Sequence, residues 1–97
     1  MSTLVDRLTI VHNEHASRFE AEIDGQLAVV EYERRGDVLY ITHTGTPLPY
    51  RGQGVAGQVT TAVLHYAREE GLQVVPVCSF TSAYIRQNPQ YQSLLKV

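Results

Sequence analysis

Apolar and polar positions alternate through the first half of the chain and change period near residue 50. Phe19, Ala21 and Ile23 interleave with Glu20 and Glu22, a period of two that gives a strand one dry and one wet face. Leu8, Ile10 and Val11 predict a strand before it, and a polar turn over residues 13–17 joins the two. His12 and His15 read as solvated residues of that loop. Asp24-Gly25 marks a hairpin turn, residues 27–32 a third strand rich in Val and Tyr, Gly36-Asp37 a second turn, and residues 38–43 a fourth strand. Four strands joined by tight turns predict an antiparallel meander.

Gly45, Pro47 and Pro49 end that pattern. Val59, Ala62, Val63, Tyr66 and Ala67 then recur at helical spacing, predicting a helix over about residues 55–70 with Gly71 as its C-terminal cap. Residues 72–78 read as a buried fifth strand, and a strand–helix–strand crossover sets it parallel to the fourth. A short helix over about residues 80–87 is stopped by Asn88-Pro89, and a last turn carries Tyr91, Leu94 and Leu95. The expectation is one α/β (α+β) domain over residues 1–97, a mixed sheet with a meander, a helical crossover and a short C-terminal helix.

Composition narrows the class. In 97 residues, 43% hydrophobic, there is material for one modest core. A net charge of −2, with no basic cluster longer than Arg34-Arg35, argues against a nucleic-acid partner. Nothing approaches the length of a membrane span, and the opening Met-Ser-Thr-Leu-Val-Asp-Arg is no signal peptide, so a soluble cytoplasmic protein is expected. The single cysteine rules out an internal disulfide, and the four histidines have no zinc-type spacing with it, so no metal is expected.

The chemistry concentrates in Tyr50-Arg51-Gly52-Gln53-Gly54-Val55-Ala56-Gly57. Glycines let the backbone take positive φ and approach a ligand closely. Opening a helix, such a turn offers free N–H groups at the positive end of the helix dipole, which suits phosphate, and Arg51 adds a cation. The turn lacks both the Gly-Lys-Ser/Thr of a Walker A loop and the three-glycine dinucleotide spacing.

Read as Arg-x-x-Gly-x-Ala, residues 51, 54 and 56 resemble the pyrophosphate motif of the GNAT N-acetyltransferase superfamily. Gly71-Leu-Gln-Val-Val-Pro-Val-Cys-Ser-Phe80 and Ala83-Tyr-Ile-Arg-Gln-Asn-Pro-Gln-Tyr91 resemble the small single-domain YjdJ-type members. The resemblance runs from His43-Thr44 to Leu95. It implies an acetyl-coenzyme A-dependent acyl transfer to an amine. Pantetheine would pair with the backbone of Tyr40, Ile41, Thr42 and on to Thr44; pyrophosphate would take Arg51, Gly52, Gln53, Gly54, Val55, Ala56 and Gly57. The alternative is a non-catalytic coenzyme A or acyl-coenzyme A binding module. Where the family pattern carries a glutamate after His-Thr, this chain has Gly45, and its arginine precedes the first glycine of the turn instead of lying between the two.

Three residues are candidates for the chemistry. Cys78, before a short helix, reads either as a nucleophile with a lowered pKa or as a small buried hydrophobe. Tyr84 reads either as the group that protonates the departing thiolate or as a core aromatic. His43 reads either as the proton acceptor for the amine or as a strand residue paired across the sheet. The acceptor is a small molecule or a protein, and the chain a monomer or homodimer.

Overall fold

The structure, a computed structural model, describes residues 8–97. A five-stranded sheet runs in the order β1 (Ile10–Asn13), β2 (Arg18–Ile23), β3 (Gln26–Arg35), β4 (Val38–Gly45) and β5 (Gln73–Pro76). The first four pair antiparallel, and β5 joins β4 in parallel, as the crossover requires. Helix α1 (Val55–Glu69) makes that crossover and α2 (Ser79–Gln87) follows β5. A 3-10 segment (Pro89–Leu94) then leads into a tail whose Lys96 N–H donates to Val74 O, shielding the free edge of β5.

The core lies on one face of the sheet. Phe19, Ala21, Ile23, Ala28, Val30, Tyr32, Leu39, Ile41 and Val74 turn inward against Val55, Val59, Val63, Leu64 and Ala67 of α1. Ala62 and Tyr66 sit at its margin. Helix α1 ends as glycine requires: Gly71 takes φ +69°, and the Leu72 N–H reaches back to Ala67 O.

Three expectations need correction. β5 is shorter than residues 72–78, because Pro76 cannot donate a further rung and the chain turns away after it. β3 continues to Arg35 instead of stopping near residue 32. His12 is a strand residue and not a solvated loop residue. It lies one alternation after Ile10, so its ring faces inward, stacked on Phe19 at 4.1 Å with its Nε2 2.6 Å from the Tyr32 hydroxyl. The polar turn follows it, with the Ala16 N–H donating to Asn13 Oδ1.

Candidate active site

At the end of β4 the chain breaks into Thr46-Pro47 and a 3-10 turn, Leu48–Tyr50. This loop is pinned to the β2–β3 hairpin by the Tyr50 hydroxyl, which donates to Asp24 Oδ2 at 2.6 Å. It is closed on itself by Arg51 Nε donating to Thr46 O and by Gln53 Nε2 donating to Pro49 O. Gly52 and Gly54 then take φ +78° and +84°, conformations that any other residue adopts only with strain.

Gly54 is the N-cap of α1, without a side-chain cap, and the first turn carries no acidic residue. The first intrahelical bond of this turn runs from Gln58 N–H to Gly54 O. Helix geometry therefore leaves the N–H groups of Gly54 to Gly57 without intrahelical partners. Together with the helix dipole they form a cradle that fits phosphate.

This cradle opens into a cavity of about 790 Å³. Leu27 and Val29 of β3, His43, Thr44 and Gly45 of β4, Arg51 and Phe80 share its lining with the turn. Sequence reasoning did not single out Leu27, Val29 or Phe80. Gly57 carries a different burden: a Cβ there would stand 3.3 Å from Tyr84 Cε2, so glycine lets α2 lie close against α1.

The sheet also opens here. β5 pairs with β4 only as far as Ile41 opposite Pro76, and a last bond runs from Cys78 N–H to Ile41 O. Tyr40 and Ile41 are thus engaged with β5, and Ile41 is fully buried. Backbone without a β5 partner begins at Thr42. Thr42 is itself the extra residue of a β-bulge, since Glu31 pairs with His43 and Tyr32 with Ile41.

The bulge decides which way His43 points. Leu39 and Ile41 are buried, and an unbroken alternation would bury His43 beside them. One inserted residue reverses the parity, so Thr44 turns inward and His43 turns out into the cavity, where it is exposed.

Cys78 is half-buried at the N-cap of α2, and its thiol donates to Thr44 Oγ1 at 3.4 Å. Burial pushes its pKa up, but the Thr44 hydroxyl, the N–H groups of Thr81 and Phe80 and the Thr81 hydroxyl together outweigh it, and the net shift is downward. The Thr81 hydroxyl is fully buried and lacks an ordinary hydrogen-bond partner, so it acts on the sulfur as a neighbouring dipole. Thr81 stands three residues after Cys78, one helical turn on, a spacing from which it could have been found.

Tyr84 is placed elsewhere. Its hydroxyl bonds the Thr61 hydroxyl on the flank of α1, and its ring stacks between Phe80 and Tyr91. The structure thus brings His43 and the glycine turn to one cavity and sets Cys78 beside Thr44, while the Tyr84 hydroxyl stays with the helix. Among the described residues no three His, Cys, Asp or Glu side chains are grouped to hold a metal, and no helix is long and apolar enough to cross a membrane.

The chain is similar to several known proteins. Protein NATD1 of Mus musculus is 30% identical over 90 residues, covering 90% of this chain and 82% of the mouse protein. Protein NATD1 of Homo sapiens is likewise 30% identical over 90 residues, covering 90% of this chain and 80% of the human protein. The solution NMR structure of a GCN5-like protein from Staphylococcus aureus superposes with a TM-score of 0.70 at 27% identity, over 99% of this chain and 91% of that one. A family model described as GCN5-related N-acetyl-transferase matches residues 18–94, and to that family the chain belongs.

Proposed function

We propose that the protein transfers the acetyl group of acetyl-coenzyme A to the amine of an acceptor. The observation that carries this reading is a continuous cavity of about 790 Å³ joining the uncapped start of α1 to His43 at the opening between β4 and β5. The N–H groups of the turn, with Arg51, Gly52, Gln53, Gly54, Val55, Ala56 and Gly57, would hold the pyrophosphate. Backbone from Thr42 to Gly45 would pair with pantetheine as an added strand. Family membership supports acetyl-coenzyme A as the donor.

Positioning the thioester beside the amine supplies most of the rate. His43 takes the proton that the amine loses, being the exposed imidazole of the cavity. The amine attacks the thioester carbonyl directly and coenzyme A leaves as thiolate; a relay through Cys78, in which its thiolate would first take the acetyl group and then pass it to the amine, is the variant route, tested by Cys78→Ser. A cytoplasmic setting would keep that thiol reduced.

Calorimetric titration of the protein with acetyl-coenzyme A, alongside Arg51→Ala, tests the reading, with thiol release across a panel of amines as the second measure. Binding in the micromolar range or tighter that weakens in the variant, with amine-dependent thiol release, is the expected result. No binding overturns it. Binding without thiol release selects the second reading, a non-catalytic coenzyme A-binding module. One observation favours that module: the Tyr84 hydroxyl is bonded to Thr61 on the flank of α1, and Tyr84 is not among the residues that line the cavity.

A further inference from the structure

We infer that Gly45 is a positioning residue for His43: the vacant place of its side chain seats the imidazole that accepts the amine's proton. This rests on the acetyl-transfer reading and deepens it by naming what holds the base in place. Two features of β4 converge on it. The bulge at Thr42 turns His43 and Gly45 to the same face, opposite Glu31 and Val29 of β3. A Cβ built on Gly45 would stand 3.3 Å from His43 Nε2, 4.0 Å from its Cδ2 and 3.6 Å from Val29 Cγ2. The ring therefore leans along the strand over the glycine.

Gly45 is absent from the residues with positive φ, so its backbone does not require glycine. The ring does. This separates it from Gly52 and Gly54, whose φ values demand glycine for the conformation itself.

The charged and titratable groups around the imidazole leave it free. Glu31 is its cross-strand partner on β3. Arg51 and Tyr50 line the same cavity but spend hydrogen bonds on Thr46 O and Asp24. Cys78, at the N-cap of α2, is bonded to Thr44, whose side chain takes the other face of β4. Among the described residues none of these groups is hydrogen-bonded to His43, and its nearest approach along the strand is to the place a Gly45 side chain would take. In the transfer the amine nitrogen bonds to the acetyl carbon, the carbon–sulfur bond breaks, and the amine's proton passes to the imidazole. The proton returns to the coenzyme A thiolate, so the products are the N-acetyl amide and the free thiol.

The test compares wild type with Gly45→Ala, His43→Ala and the double variant His43→Ala/Gly45→Glu. Each is read by thiol release against pH, by acetyl-coenzyme A calorimetry and by NMR of the imidazole ring. Gly45→Ala should displace the His43 ring resonances and lower kcat/KM about tenfold while acetyl-coenzyme A affinity stays within about twofold. His43→Ala should lose about a hundredfold. The double variant, with a carboxylate in the same seat, should regain at least about tenfold over His43→Ala.

A Gly45→Ala protein with unmoved His43 resonances and wild-type rate overturns the inference. So does a His43→Ala protein with the wild-type pH profile, or a double variant no faster than His43→Ala. If wild type releases no thiol, acetyl transfer is what fails, and the ring resonances of Gly45→Ala still decide whether the glycine seats the histidine.

Discussion

Two strand histidines stand toward the two lateral ends of the sheet, on β1 and on β4, one row apart along the strands and on opposite faces, and are held in opposite ways. His12, near the β1–β2 turn, is stacked on Phe19, meets the edge of Tyr66 at 4.5 Å and bonds the Tyr32 hydroxyl. His43, at the glycine turn, faces the cavity and rests over a residue with no side chain. At the first end the ring's polar and apolar surfaces are both matched by neighbours, so it serves the fold. At the second they are left open to the cavity. The two ends should therefore fail separately, one losing stability and the other losing binding.

The largest effect is expected where His12 is seated. Phe19 is almost fully buried under that ring, and Phe19→Ala removes a core aromatic, costing about 3–5 kcal/mol. Urea unfolding should show this as a lower midpoint, while the fraction that stays folded binds acetyl-coenzyme A as wild type does. An affinity that collapses in the folded fraction would show that the ends are coupled.

At the other end the expected pattern reverses. Arg51 is exposed, with one hydrogen bond to Thr46 O, so Arg51→Ala should leave the thermal midpoint almost unmoved. Losing a charge-assisted contact to phosphate should weaken acetyl-coenzyme A by about tenfold, or about 1.4 kcal/mol. Calorimetry and a thermal scan on the same sample check both halves. A thermal midpoint that falls with affinity unchanged would make Arg51 a structural clamp of its loop.

The contrast also explains how far the sequence could be read. The meander, the crossover and the glycine turn follow from alternation, turn residues and helical spacing, signals carried by neighbouring residues. The polar turn beside His12 masks its place in the alternation begun by Ile10. The direction of His43 had no local signal. The bulge at Thr42 arises from how β3 and β4 pair, and strict alternation would have buried the ring with Leu39 and Ile41. Gly45 was visible only as a departure from a pattern. Its contact with the imidazole exists in three dimensions alone.

His12 should also mark its end of the sheet by pH. Burial is the larger influence and lowers its pKa below the ordinary 6.5, while Glu14 pulls the other way; Tyr32 and Tyr66 pack on the ring, and Arg34 reaches the Tyr66 hydroxyl. A lowered folded-state pKa means that the unfolded chain binds the proton more readily. Stabilisation by the neutral ring is thus complete above about pH 6.5 and is lost as pH falls through the folded value. The thermal midpoint should decline over that range in wild type and decline less in His12→Gln. A slope unchanged in the variant would assign it to another group.

The smallest effect sharpens the comparison most, because Tyr84 lies between the two behaviours. Its ring stacks on Phe80, which lines the cavity, yet its hydroxyl is tied to Thr61 on α1. If that bond is its whole role, Tyr84→Phe leaves the Thr61 hydroxyl without its partner and costs about 1 kcal/mol of stability. Thiol release per folded molecule should then stay within about twofold of wild type, with the alkaline limb of the pH profile unmoved. A general acid at this position would behave differently, with kcat falling by about a hundredfold or more and the alkaline limb displaced. Urea unfolding and a pH–rate profile of this one variant therefore tell whether the site ends at Phe80 or reaches one helical turn further along α2.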